Sequence, residues 1–162
     1  MKPITIAVLC LALAACSLAG PASPTPDYSG AIITLERTPC FGSCPIYKLT
    51  IYGDGRVEYV GTQFVAVAGP RSDTLTAGQV RELFGAFELA GYFKLADEYM
   101  APVTDLPTTI TSLTLGGQSK TVSNYGGCMI DMPNKAPQAL CDLETKIDTI
   151  TNSAQWVGQR PN

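Results

Sequence analysis

The sequence predicts an α+β domain, a mainly antiparallel sheet of about five or six strands with two helices packed on one face. Three observations point there. Ile46–Tyr52 and Arg56–Thr62 alternate apolar and polar residues on either side of Gly53-Asp54-Gly55, as a hairpin does. Thr108–Leu115 and Ser119–Tyr125 form a second candidate hairpin about Gly116-Gly117. Two other stretches, Thr76–Tyr92 and Pro137–Asn152, repeat apolar residues at helical spacing.

Taken in order, the chain opens with an apolar run, Ile4–Ala15, after a single Lys2. It is too short to cross a bilayer, which needs roughly 20 apolar residues, and has the length of a signal-peptide core. The run ends in Leu13-Ala14-Ala15-Cys16, which resembles the lipobox of bacterial lipoproteins. That resemblance implies cleavage after residue 15 and acylation of Cys16. Ser17 in the next position favours the outer membrane over inner-membrane retention. Residues 16–30 are rich in Pro and Ser and read as a tether, reaching ~40 Å at ~3.1 Å per residue.

The domain itself is expected over residues 31–157, with 158–162 as a tail. Ala31–Arg37 is a half-buried strand, followed by the Cys40/Cys44 loop. In the first hairpin a three-residue turn pairs Ile51 with Val57, Leu49 with Tyr59 and Thr50 with Glu58, keeping apolar residues on one face. That turn requires Gly55 at positive φ. Phe64–Ala68 reads as a short strand ahead of a breaker, Gly69-Pro70. Thr76 with Gln79 has the form of a capping box, and Val80, Leu83, Phe84 and Phe87 make one apolar stripe. Gly91 is the expected stop, and Ala96–Pro107 reads as irregular. The last helix starts near Pro137, with Leu140, Leu143, Ile147 and Ile150 on one face. Trp156 and Val157 are placed to pack the tail back.

Composition excludes several functional classes. With 162 residues, 46% apolar and 15% charged, the chain can build one core and is neither a disordered tail nor a basic nucleic-acid binder. The formal charge of −3 becomes −4 without Lys2, since 10 basic side chains then face 14 acidic ones. The chain has no histidine, which removes the usual general base at neutral pH and the Ser-His and Cys-His dyads.

The run Thr38-Pro39-Cys40-Phe41-Gly42-Ser43-Cys44-Pro45-Ile46-Tyr47, with Tyr52-Gly53-Asp54-Gly55 after it, resembles a bacterial envelope family, the domain of unknown function 6438 family. Asp105-Leu106-Pro107-Thr108 and the Leu83–Phe93 helix are similar to that pattern too, so the resemblance covers most of residues 31–151. It implies a small exported α+β domain, often lipid-anchored, and brings no catalytic residues with it.

Cys10 leaves with the leader and Cys16 is committed to lipid, so four cysteines remain: Cys40, Cys44, Cys128 and Cys141. An even number in an oxidising compartment reads as two disulfides, and four cysteines permit three pairings. The two local closures, Cys40–Cys44 and Cys128–Cys141, are favoured, the second tying the Gly126–Asn134 loop to the last helix. The competing reading of Cys40-x-x-x-Cys44 is thiol-redox or copper chemistry. Its spacing resembles the copper motif of Sco-type assembly proteins, but those sites also need a histidine and a parallel βαβ order. A redox pair would more usually sit as Cys-x-x-Cys at a helix N-terminus, whereas Cys44 leads into a strand.

Asp97, Glu98 and Asp105 offer carboxylates, but no calcium-loop spacing or defined pair sets them apart from solvated surface. Tyr47, Tyr52, Tyr59 and Tyr125 read as cross-strand packing, with a binding face as the alternative. Tyr47 and Asp105 are the candidate functional-surface residues. No metal site, cofactor or catalytic residue is expected. The functional expectation is a lipid-anchored envelope protein, outer-membrane and facing the periplasm, that binds an envelope protein or cell-wall partner without catalysis. The alternative is a periplasmic thiol-redox or metal-handling protein using Cys40 and Cys44.

Overall fold

The computed structural model describes residues 27–100, 102–128 and 135–158. The leader, Cys16, most of the tether, residues 129–134 of the second cysteine loop and the tail beyond Gly158 lie outside the described residues. Among the described residues, one seven-stranded sheet runs in the order β4-β3-β2-β1-β6-β7-β5. It carries a helix after β4 and two more after β7.

Strand β1 (Ile32–Arg37) lies between β2 (Ile46–Tyr52) and β6 (Thr108–Leu115), antiparallel to both. β3 (Arg56–Gln63) pairs β2 in the expected register, Ile51 with Val57, Thr50 with Glu58 and Leu49 with Tyr59. Gly55 stands at φ +94, and a side chain there would collide with the Leu75 carbonyl, so the turn admits only glycine without rearrangement. Inward alternation follows: Ile33, Leu35, Leu49, Ile51, Val57 and Tyr59 are all buried.

α1 (Ala77–Leu89) begins with the capping box, Gln79 N–H donating to Thr76 Oγ1 while Gln79 Oε1 accepts from the Thr76 N–H. It ends before Gly91, whose φ of +60 opens a 3-10 turn, Tyr92–Lys94. β7 (Gln118–Tyr125) pairs β6 antiparallel, as the Gly116-Gly117 turn requires. α2 (Gln138–Ile150) takes Pro137 as its N-cap residue and buries Leu140, Leu143, Ile147 and Ile150. These side chains join those of α1 and the inward sheet residues in one core cluster. The short α3 (Ala154–Val157) brings Trp156 against Tyr59, ring centroids 4.9 Å apart.

Three expectations are corrected. The sheet has seven strands rather than five or six, and a third helix follows α2. Ala96–Pro107 is not wholly irregular: Glu98–Met100 forms β5, which pairs β7 in parallel and makes the sheet mixed. A three-residue strand has no period of its own to read, and its partner is over twenty residues away. Phe64–Ala68 is not a strand, while the supposed breaker Gly69-Pro70 opens β4 (Gly69–Thr74). Proline lacks the N–H a central strand needs, but β4 is an edge strand, where it is tolerated. The 64–68 segment turns instead to α3: Ala66 and Val67 N–H groups donate to Val157 and Trp156 carbonyls.

Candidate functional site

β1 ends inward on a charge. Arg37 follows Ile33 and Leu35 in the same register, so its guanidinium is carried under α2 rather than into solvent. There every nitrogen is engaged. Nε donates to the Tyr47 hydroxyl at 3.3 Å, Nη1 to Thr109 Oγ1 at 2.9 Å and Nη2 to Asp148 Oδ2 at 2.7 Å. Tyr47 in turn donates to Asp148 Oδ1 at 2.7 Å, which also accepts from Ser153 Oγ. Burial, the largest single influence, would lower the Arg37 pKa, but the Asp148 charge, the Tyr47 hydroxyl and the hydrogen bonds to both together outweigh it and hold the value above the ordinary one. The Tyr47 phenol is pushed up, first by burial and then by the same carboxylate. With the Arg37 and Asp148 charges balancing and each side chain hydrogen-bonded to its neighbours, this network ties β1 and β2 to α2.

One helical turn earlier on α2, Glu144 is only 3% exposed. Its described hydrogen-bond partner is Asn124 of β7, whose Nδ2 reaches both carboxylate oxygens at 3.1 and 3.3 Å. Burial pushes the Glu144 carboxyl up to about 7; the Asn124 hydrogen bond and the Arg37 charge only partly offset it. Asn124 Oδ1 is itself buried with no partner among the described residues.

Of these groups Arg37, Tyr47, Thr109 and Glu144 line a cleft of about 410 Å³. Cys44 and Pro45 form one wall and Gly127 and Cys128 another. Cys141, Glu144 and Thr145 of α2 lie between, and Phe64, Val157 and Gly158 close the rim. Cys40 and Cys44 are disulfide-bonded with Cα atoms 5.8 Å apart, and Cys128 and Cys141 likewise at 5.7 Å. Of the three permitted pairings the structure adopts the one made of two local closures. Both cross-links therefore converge on one cleft. Cys128 Sγ lies 4.0 Å from Glu144 Oε2.

Of the residues singled out from sequence, Tyr47, Cys44, Cys128 and Cys141 line this cleft, with Cys40 bonded to its wall. Asp105 does not line it. It stands exposed at φ +72, and its carbonyl accepts from the Phe41 N–H, which props the cysteine loop from outside. Cys16 lies outside the described residues. Sequence reading missed Arg37, Glu144, Asn124 and Asp148. A signal existed: Arg37 occupies an inward strand position, and Glu144 interrupts the apolar stripe of α2 between Leu140 and Ile147. Phe64, expected in a strand, stands outside one, 55% exposed at φ +54. Among the described residues no group of three His, Cys, Asp or Glu is placed to hold a metal, and no helix is long and apolar enough to cross a membrane.

A mixed, mostly antiparallel sheet, three helices and two disulfides beside one cleft define a small, cross-linked α+β domain. The chain belongs to the family described as Domain of unknown function (DUF6438), whose pattern matches residues 31–151 and so spans the sheet, both long helices and all four domain cysteines. No curated protein matches the chain.

Proposed function

We propose that this protein is a lipid-anchored domain of the bacterial cell envelope, held by acylated Cys16 on the outer membrane and facing the periplasm. Its work is non-enzymatic: it binds an envelope protein or cell-wall partner in the cleft between its disulfides. The observation that carries the binding reading is that cleft, about 410 Å³, with walls cross-linked on both sides and the exposed Phe64 ring on its rim. A bulky residue held at positive φ carries strain that ordinary packing does not require. Arg37, Tyr47 and Thr109 are committed to one another and to Asp148, and the chain has no histidine to activate a hydroxyl. The lipobox-like Leu13-Ala14-Ala15-Cys16 and the Pro-rich tether support the anchored reading.

Photo-crosslinking residues placed at Phe64 and Thr145 of the full chain in its native envelope test the binding reading. Discrete adducts from both, absent when the residue is placed at Thr50 on the opposite sheet face, support it. Equal or absent adducts at all three overturn it. Palmitate labelling of the chain, lost in Cys16→Ser, tests the anchor.

The second reading, thiol-redox or metal handling by Cys40 and Cys44, is favoured by one feature: Phe41 and Gly42 between them are exposed. It predicts a readily alkylated thiol in protein from the envelope and loss of function, without loss of fold, in Cys40→Ser.

A further inference from the structure

Acceptors outnumber donors around Glu144, which lines the cleft with Asn124 buried beside it. Glu144 presents two carboxylate oxygens to a single amide nitrogen, and the same amide's Oδ1 is buried with no described partner. The Arg37 charge offsets this only in part, because its hydrogen bonds go to Tyr47, Thr109 and Asp148 and none goes to Glu144. A buried carboxyl in that position either takes up a proton or waits for a charged donor.

We propose that Glu144 is the recognition group of the cleft and that the ligand presents an alkylammonium, the chemistry of a lysine side chain or of an amine-bearing cell-wall peptide. The inference rests on the reading of this cleft as a binding site. An ammonium brings three donors and no acceptor, which matches the local surplus. An anion would meet the Glu144 carboxylate, and the charge of Arg37 in the same lining is already paired with Asp148. The rim suits the aliphatic stem of such a group, since Pro45, Pro107, Val157 and the ring of Phe64 all line the cleft.

Ligand and proton compete for the same carboxyl, so binding depends on pH. The groups facing Glu144 are Asn124 of β7, Arg37 of β1 with its partners Tyr47 and Asp148, Tyr92 after α1, and the Cys128–Cys141 disulfide. With the carboxyl at about 7, Glu144 is the group whose charge changes between pH 6 and 8.

The test is calorimetric titration of the full chain in detergent with cadaverine, and with 1,5-pentanediol as its uncharged counterpart. Cadaverine should bind at pH 8, bind about tenfold more weakly at pH 6, and lose at least tenfold in Glu144→Gln; the diol should not bind. The wild-type pH series reads the same group without a substitution. Cadaverine that does not bind, binds Glu144→Gln equally, or binds no better than the diol overturns the proposal. If it is overturned while the Phe64 and Thr145 adducts persist, the cleft remains a binding site for a different chemistry. If those adducts are also missing, both readings fall.

Discussion

Arg37 and Asp148, 111 residues apart in the chain, meet at 2.7 Å beneath α2, each side chain only 19% exposed. The pair joins the central strand to the last helix, and it is covered well enough for its charges to interact strongly. Breaking one side of such a pair leaves the other charge stranded, which is more damaging than the pair's own net worth.

Arg37→Met should therefore lower stability by about 3 kcal/mol, and Asp148→Asn by about 2. The double variant should lose at least ~1 kcal/mol less than the sum, because the second change removes the group stranded by the first. Urea unfolding of the four proteins checks this. Strict additivity would mean that the two side chains do not act as a unit.

The two disulfides should differ in value. Cys128–Cys141, with a sequence separation of 13, should contribute about 3 kcal/mol, and Cys40–Cys44, with a separation of 4, about 2 kcal/mol by the chain-entropy estimate. Paired Cys→Ser variants compared by chemical unfolding read the difference. A larger loss at Cys40–Cys44 would show that the short loop supports more than its own closure.

Glu144 should make stability fall as pH rises. Its folded value of about 7 lies above its unfolded value near 4.5, so the folded state holds the proton more tightly. The contribution is fully present below pH ~4.5 and is lost as pH climbs through 7, about 3 kcal/mol in all. Glu144→Gln should then be more stable than wild type at pH 8 and should narrow its advantage at pH 5. Parallel unfolding curves at the two pH values decide it; an unchanged difference would mean Glu144 does not titrate in this range.

Gly61 and Gly85 should respond to alanine with opposite signs. A methyl at Gly61 would press into the Val67 carbonyl and the buried Tyr59 hydroxyl, backbone and core that have nowhere to go. Gly61→Ala should cost about 2 kcal/mol or more. At Gly85, inside α1, nothing lies within 4 Å of the added carbon. Gly85→Ala should stabilise by up to about 1 kcal/mol through helix propensity alone. Thermal melts of both variants check the pair.

Much of the fold could be read from neighbours along the chain. Ile33, Leu35, Leu49 and Ile51 alternate, Thr76 and Gln79 cap a helix, and Gly53-Asp54-Gly55 sets a register that the structure reproduces. The site was less legible. Tyr47 and the four domain cysteines were singled out and come together around the cleft, but Asp105 proved a prop for the loop, and Glu144 went unremarked. A carboxylate inside an apolar stripe is ambiguous until its partner is known, and Asn124 lies 20 residues away on another element.

The sequence by itself determined the α+β class, the two hairpins and the helix stops, and it favoured the local cysteine closures without deciding them. Each of these depends on periodicity, turn chemistry or loop length within a few residues. Only the tertiary structure decided that β5 joins the sheet in parallel, that Pro70 belongs to an edge strand, and that Arg37, Tyr47 and Asp148 meet across more than 100 residues. Those outcomes turn on which surfaces pair once the core has collapsed, and burial then fixes the charge and partners of each polar group that is carried inside.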